Sequence, residues 1–496
     1  MLKLRPYQEK AVSTLRALFA SKKMRVVLYS PTGSGKTEIG MELIRLALAK
    51  KKRVVFICNR IELVRQTSSR IAASGIQHGI IQGSNTCMSW EPVQVCSIQT
   101  IDKRGYPDCD LIVVDEAHGT AGSKAYQRFM EHYAAVPMIG LTATPFARGM
   151  GKTYPWGPMW EDLTAATTIR DLVNDGYLVD CDIYAPSEPD LKNVKITAGD
   201  YNEKQLGVAV DKQELVGDIV THWLKLSGGK STVCFATNIA HSKHIVDRFT
   251  AAGIPAEHID CYTDDDERRR ILKRVLAGDT KIISNVGILQ EGWDFPACEV
   301  MILARPTRSL IKYIQMAGRV LRPFEGKEKA LILDHSGTCR RLGFPTDDLP
   351  LHLDDGKPRD KKKEAEAEKE KKEKLPILCK QCSAVLAQTH TACPRCGFEL
   401  PKKCDVKERA GSLSRLDKTK IGSMTKEDRK KTYSELLGYA RERGYKDGWA
   451  WWKCKEIFGS VPRDRVAAVT PSKQTLNLVR HLNIKHANSK EKEMPM

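Results

Sequence analysis

Six residues constrain this chain more than any others. Thr32-Gly33-Ser34-Gly35-Lys36-Thr37 follows the β-branched run Val26-Val27-Leu28-Tyr29 and precedes the amphipathic stretch Glu38 to Ala49. Glycines at this density let a backbone wrap around an anion, with amide N–H groups and a helix N-terminus supplying positive potential. The strict pattern would place a glycine where this chain has Ser30, and Pro31 follows it. Strand, glycine turn and helix in that order belong to a parallel sheet covered on both faces.

The rest of the chain repeats this style. Val54-Val55-Phe56-Ile57, Val93-Gln94-Val95-Cys96, Leu111-Ile112-Val113-Val114 and Met138-Ile139-Gly140-Leu141 are short apolar runs separated by helical patterns. A second series comprises Val233 to Ala236, Lys281 to Ser284, Val300 to Leu303 and Ala330 to Leu333. The fold class expected is α/β, with two parallel-sheet domains in tandem. Leu163 to Gly176 reads as a linker helix, and Glu188 to Asp211 as an irregular polar insertion.

Three groups of residues carry chemistry. Lys36 suits the β- and γ-phosphates of a nucleotide, and Thr37 suits Mg²⁺. Asp115-Glu116-Ala117-His118 ends the run Leu111–Val114, so its carboxylates emerge at a strand's C-terminal edge, beside the loop. Asp115 then suits the metal, and Glu116 the attacking water. Far downstream, Gln315-Met316-Ala317-Gly318-Arg319-Val320-Leu321-Arg322 spaces two arginines to share one helix face, aimed at a phosphoryl group across an interdomain cleft. A chance glycine turn, an acidic surface turn or a solvated basic helix end would explain each group alone. Their order explains all three together.

In that order the segments resemble superfamily 2 helicases and translocases of the DEAD/DEAH type, over about residues 1–345. Arg5-Pro6-Tyr7-Gln8 resembles the adenine-reading Q motif, with Gln8 as the adenine contact. Pro31 to Thr37 matches motif I, Asp115 to His118 motif II, and Thr142-Ala143-Thr144-Pro145 motif III, which couples hydrolysis to movement through Thr142 and Thr144. Phe56 to Arg60 and Ser97 to Thr100 lie where the strand-contacting motifs Ia and Ib lie. Phe235 to Asn238 resembles motif IV, Gly287 to Asp294 motif V with Gly292 and Asp294 at the nucleotide, and Gln315 to Arg322 motif VI. The resemblance implies two RecA-like domains, ATP and Mg²⁺ as cofactors, and DNA, single-stranded or forked, as the partner. RNA is the other candidate substrate. The wider layout is similar to RadD-like bacterial repair proteins and to phage and prophage helicases, which implies replication, recombination or repair. A single-strand-binding or replication protein is the candidate protein partner.

Charge agrees with a polyanionic partner. The 496-residue chain has a formal net charge of +19, and residues 375–496 alone hold 25 Lys+Arg against 13 Asp+Glu. Clustered basic charge attracts nucleic acid through counterion release. Cys379-Lys380-Gln381-Cys382 and Cys393-Pro394-Arg395-Cys396 are two C-x-x-C knuckles at zinc-ribbon spacing, offering four thiolates for tetrahedral Zn²⁺. The ribbon is expected to present Lys380, Arg395, Lys402 and Lys403, with His390 and Cys404 as bystanders. Scattered cysteines such as Cys58, Cys96, Cys234 and Cys298 read as core thiols. In the tail, Leu436, Leu437, Ala440, Trp449, Trp452, Ile457 and Phe458 fit a small helical core better than a set of base-stacking aromatics.

The domain expectation is therefore 1–183 and 184–350 for the two motor domains. A charged linker at 351–374, a zinc ribbon at 375–403 and a basic helical region at 404–496 follow. Neither an apolar run of membrane-spanning length nor a signal-peptide core occurs. That points to a bacterial or phage-infected cytosol and no membrane partner. An RNA helicase, a translocase without strand separation and a restriction motor remain alternatives, although no nuclease motif supports the last. A silent nucleotide-binding scaffold conflicts with the intact Lys36, Asp115, Glu116, Arg319 and Arg322.

Overall fold

The β-branched runs pair as parallel strands. In the computed structural model, β1 (Arg25–Tyr29), β2 (Val54–Cys58), β3 (Gly79–Ile81), β4 (Val93–Ser97), β5 (Leu111–Asp115) and β6 (Met138–Thr142) precede a small hairpin, β7 (Thr153–Tyr154) and β8 (Gly157–Pro158). With β9 (Asp162–Ala165) they give a seven-stranded sheet ordered β3-β4-β2-β5-β6-β1-β9. The described residues are 4–83, 85, 90–197, 199–289, 295–357, 375–400, 425–462 and 466–480. They fall into two compact units, Met1–Lys402 and Lys403–Met496.

Strand alternation divides the first core into two layers. Val26, Leu28 and Phe56 face the helices Pro6–Ala20, Lys36–Ala49 and Ile61–Ala73 through Leu15, Ile44 and Ile71. Val27, Ile57 and Val114 face the other side, against Phe129, Met130 and Trp160. Burial on both faces is why these strands read as unbroken apolar runs. At Gly140 in β6 a Cβ would lie 2.6 Å from the Trp160 ring and 2.7 Å from Ala117. The indole thus fits against bare backbone, while its Nε1–H donates to Thr120 Oγ1 at 3.0 Å. That contact fixes the turn after Asp115 and Glu116 from behind.

The second sheet has six strands, ordered β10-β17-β16-β13-β15-β14. It uses β10 (Asp180–Tyr184), β13 (Thr232–Phe235), β14 (Ala256–Ile259), β15 (Ile282–Asn285), β16 (Val300–Leu303) and β17 (Lys329–Asp334), again with parallel pairs throughout. Between β10 and β13 lies the stretch expected to be irregular. It instead forms the hairpin β11 (Ile196–Thr197) and β12 (Asp200–Tyr201) and the helix Glu203–Val210. Asp200 anchors it, accepting from the Arg308 amide (2.9 Å), Thr307 Oγ1 (2.9 Å) and Lys312 Nζ (3.0 Å). The expected linker helix is also different. Asp162–Ala165 adds β9 beside β1, and only Ile169–Asn174 is helical, capped by Thr168 and Asp171. The β-forming sequence there satisfies an open sheet edge before the chain crosses over.

The segment leaving the second sheet returns to the first domain. Asp354 accepts from the Gly151 amide through its carbonyl (2.7 Å) and from the Gly149 amide through its carboxylate (3.0 Å). The start of the expected charged linker is therefore pinned; its residues 358–374 lie outside the described residues. Next come β18 (Ile377–Leu378) and β19 (Val385–Leu386), which belong to the ribbon.

The second unit is a hairpin of two helices, Lys426–Glu442 and Asp447–Phe458. Leu436, Leu437, Ala440, Ala450, Cys454 and Val479 make its core, with Trp449, Ile457 and Phe458 packed at the margin. Trp452, expected among them, is 67% exposed. Gly438 has no room for a Cβ because the backbone of Val469 crosses it. Buried Glu435 accepts from the Ser472 hydroxyl and amide, which ties down the following segment. Replacing Trp160 by Ala is expected to cost about 3–5 kcal/mol, as for other buried large-to-small changes. Chemical denaturation would read this as a lowered midpoint, and an unchanged midpoint would refute the packing role.

Candidate functional site

The glycine loop joins the C-terminal end of β1 to the helix Lys36–Ala49. The Ser30 amide donates to Thr142 O at 2.9 Å, so the loop leaves the sheet against β6. Ser30 takes the place of a glycine because its buried hydroxyl lies 2.6 Å from that of Ser34, which donates on to Pro31 O at 2.6 Å. Gly33 and Gly35 have φ of +86° and +78°, a region where a side chain is strained. At Gly35 a Cβ would also meet Gln8 Nε2 at 2.5 Å.

Gln8 braces this loop with both ends of its amide. Nε2 donates to Ser34 O (2.9 Å), and Oε1 accepts from the Arg5 amide (2.8 Å). Tyr7 Oη donates to the same Ser34 carbonyl at 2.7 Å. Arg5 stacks 4.3 Å above the Tyr177 ring, which meets Tyr7 edge-on at 5.5 Å.

The acidic pair stands at the end of β5. Lys36 Nζ reaches Glu116 Oε1 at 2.7 Å. Glu116 Oε2 lies 3.3 Å from His118 Nδ1, which is 3.1 Å from Thr142 Oγ1, the acceptor of the Thr144 amide (3.0 Å). A polar chain thus runs from the loop lysine to Thr142 and Thr144. Burial and the adjacent Glu116 carboxylate push Asp115 up to about 6. Burial also acts to raise Glu116, but the Lys36 ammonium and the His118 ring outweigh it and hold its carboxyl below the usual range. Two carboxylates this close cannot ionise equally.

The second sheet contributes the opposite wall. The helix Leu310–Ala317 ends at Gly318, so Arg319 and Arg322 lie in the turn beyond it and not on one helix face as expected. The turn is tightened by i to i+3 bonds from the Arg319 amide to Met316 O and from the Val320 amide to Ala317 O, both 3.1 Å. A Cβ on Gly318 would lie 2.6 Å from Thr32 Cβ, so this turn touches the glycine loop itself. Arg5, Gln8, Thr32, Gly33, Gly35, Lys36, Thr37, Asp115, Glu116, Gln315, Arg319 and Arg322 line one cleft of about 560 Å³. Pro31 and Ser34 lie buried in the loop behind it, and Thr142 and Thr144 beneath it. Gly292 and Asp294 fall outside the described residues.

Residues 1–147 match the family model described as type III restriction enzyme, res subunit, and residues 211–323 match that of the helicase conserved C-terminal domain. The chain carries the two motor domains of a superfamily 2 helicase. It is 28% identical to a 51.5 kDa protein of a Lactococcus phage, over 80% of this chain and 83% of that protein. It is 30% identical to a protein of Schizosaccharomyces pombe named as a mitochondrial ATP-dependent helicase, irc3, over 70% of this chain and 59% of the other. This chain thus spans only about three-fifths of the yeast relative's length. A solved fragment described as an HsdR subunit of a type I restriction enzyme from Vibrio vulnificus shares the fold. It has a TM-score of 0.53 and 18% identity, over 71% of this chain and 67% of that one. Among the described residues, no helix is long and apolar enough to cross a membrane.

Two positions, one lining the cleft and one behind it, carried no signal in the sequence. Tyr177 follows the crossover helix and walls the cleft beside Arg5. Lys327 is nearly buried, and its ammonium donates to Cys298 O (2.6 Å) and Pro296 O (3.3 Å). Pro296 lines the cleft, so Lys327 holds in place the stretch that enters it. Burial pulls that ammonium down to about 8. The segments expected as motifs Ia and Ib touch, with Gln99 Nε2 donating to Asn59 O at 3.0 Å.

The four knuckle cysteines converge, with all Sγ atoms within 4.8 Å of one another. Cys379–Cys396 and Cys382–Cys393 sulfurs are 3.5 and 3.7 Å apart. Four sulfurs around a tetrahedral ion at ~2.3 Å bond length stand about 3.8 Å apart. His390 is exposed and bonded to Ala387 O; Cys404, Lys402 and Lys403 lie outside the described residues. The knuckles do not hang free. Tyr184 bridges Ala384, the Ala185 amide donates to Ser383 O at 3.0 Å, and Arg395 pairs with Asp182. Arg395 therefore docks the ribbon against the edge strand β10 while staying exposed. Lys380 is exposed.

Gln8→Ala should lower nucleotide affinity about thirtyfold, since two hydrogen bonds that shape the loop are lost at about 1 kcal/mol each. Titration with a fluorescent ATP analogue would check this. Unaltered affinity would show that the loop holds its shape without Gln8.

Proposed function

We propose that this chain is an ATP-hydrolysing motor that moves along DNA. The observation that carries the reading is the single cleft in which Lys36, Asp115 and Glu116 of one sheet face Gln315, Arg319 and Arg322 of the other. Arg5, Gln8 and the loop Pro31 to Thr37 hold the nucleotide, with Lys36 leaving Glu116 to meet the phosphates. Thr37 and Asp115 offer the oxygen ligands Mg²⁺ takes; the ion would neutralise charge on the β- and γ-phosphates. Buried Asp115, its acidity weakened by burial and by the neighbouring Glu116 carboxylate, fits that role. Glu116, freed from Lys36, orients and deprotonates water. Gln315 positions the water and γ-phosphate, and Arg319 and Arg322 stabilise the phosphoryl group as it transfers. Gly292 and Asp294 complete the nucleotide site in this reading.

The His118 ring joins Glu116 to Thr142 and Thr144, and through it a change at the γ-phosphate reaches motif III. DNA as the track is supported by relatives. One protein matched over 67% of this chain, from Sulfurisphaera tokodaii, is named a DNA 3'-5' translocase. The knuckle cysteines would hold Zn²⁺ as a structural ion that keeps the ribbon on β10. Two of its sulfur pairs, 3.5 and 3.7 Å apart, stand close to the spacing of thiolates around one ion.

ATP hydrolysis measured without nucleic acid and with single-stranded, forked and duplex DNA and RNA tests the reading. Stimulation by DNA, with Lys36→Ala inactive and Arg319→Ala or Arg322→Ala reducing kcat by about 10³ or more, is expected. Stimulation by RNA alone would overturn the DNA assignment, and a fully active Lys36→Ala would overturn the site. For the ribbon, Cys382→Ser with Cys396→Ser should abolish about one equivalent of bound zinc and lower the thermal midpoint, because the short ribbon has little core of its own. Zinc content unchanged by that pair would refute the assignment.

A further inference from the structure

The second unit holds aromatic residues that its core does not use. On the helix Asp447–Phe458, Ala450 and Cys454 face the partner helix, and Trp449 stacks between Tyr439 (5.4 Å) and Tyr445 (5.2 Å). Trp451 and Trp452 turn away, 39% and 67% exposed. Their rings stand 5.3 Å apart at 85°, and Lys455 Nζ lies 5.1 and 5.6 Å from the two centroids. We propose that Trp451, Trp452 and Lys455 form a base-stacking corner for single-stranded DNA. The inference rests on the DNA-motor reading and gives the second unit a part in it.

The chemistry selects the partner. Indole faces left in water favour a flat apolar ring, and an ammonium held at their edge favours an anion within a few ångströms of that ring. A nucleotide carries both. A purely apolar partner surface would have to strip water from the Lys455 ammonium without replacing it. The surroundings agree, since residues 403–496 hold 22 Lys+Arg against 12 Asp+Glu, a field that draws in a polyanion. Two perpendicular rings let one base stack while its neighbour turns the corner. Only an unpaired strand, whose base faces are free, can do this.

The test uses the full chain, without nucleotide, and the fluorescence anisotropy of a labelled oligothymidylate. Trp451→Leu with Trp452→Leu keeps the patch apolar but removes the flat rings; affinity should fall about tenfold or more. Trp451→Phe with Trp452→Phe should stay within about threefold of the parent chain. Lys455→Ala should reduce the salt slope by about 0.7, the value for one phosphate contact on a single strand. DNA-stimulated kcat at saturating DNA should be unchanged in every variant, with helical circular dichroism intact. Parental affinity in the Leu pair overturns the site, as does equal loss in the Phe pair. So does an equal loss for a blunt duplex, or a protein partner lost while DNA binding is kept. ATPase that ignores DNA, with oligonucleotide binding that still depends on the rings, would refute the motor reading alone. Normal DNA stimulation with ring-independent binding would refute this site alone.

Discussion

The structure turns on the contact between the backbone of Gly318 and the Thr32 side chain. Gly318, at the end of one helix, lies so close to Thr32 that no side chain could stand between them. That approach lets a turn from the second sheet reach the glycine loop of the first, and it delivers Arg319 and Arg322 to the cleft. Each sheet alone offers half a site. One has the glycine cradle, Lys36 and two carboxylates; the other brings Arg319 and Arg322 to face them across the cleft.

Around that contact the carboxylates are placed by packing. Trp160 fills the space over Gly140 and holds the turn after β5 from behind, while β5 itself is locked between β2 and β6. The result is an asymmetric acidic pair, with Glu116 held charged by Lys36 and Asp115 resisting charge through burial. A nucleotide that draws Lys36 away would alter both carboxylates and, through His118, the motif III threonines. Domain contact, acid chemistry and the path toward motif III therefore belong to one connected network.

Much of this was legible beforehand. Continuous apolar runs such as Val54–Cys58 are possible only where a strand is covered on both faces, so two parallel sheets could be read directly. The glycine loop, the DEAH turn and the cysteine knuckles follow from local spacing. Geometry beyond the local scale was not legible. The arginines were expected on a helix, yet the helix stops at Ala317 and Gly318 packs against Thr32. Exposed Arg395 also pairs with Asp182, more than two hundred residues earlier, which no local spacing announces. Trp452 was assigned to a core that Trp449 and Cys454 fill without it. Tyr177 and Lys327 had no pattern to announce them, since a lone tyrosine or lysine is ordinary anywhere on a chain.

The sequence by itself determined the chemistry available: which residues can bind phosphate, hold metal, take a proton or neutralise charge, and in which order the elements carrying them fold. Those properties depend on residue type and on neighbours a few positions away. Tertiary structure alone decided which of them share a space. Whether an arginine points into a cleft or an ion pair, or a tryptophan into a core or water, depends on segments that meet only after folding. The constraint there is volume and hydrogen-bond satisfaction, and neither is written in local spacing.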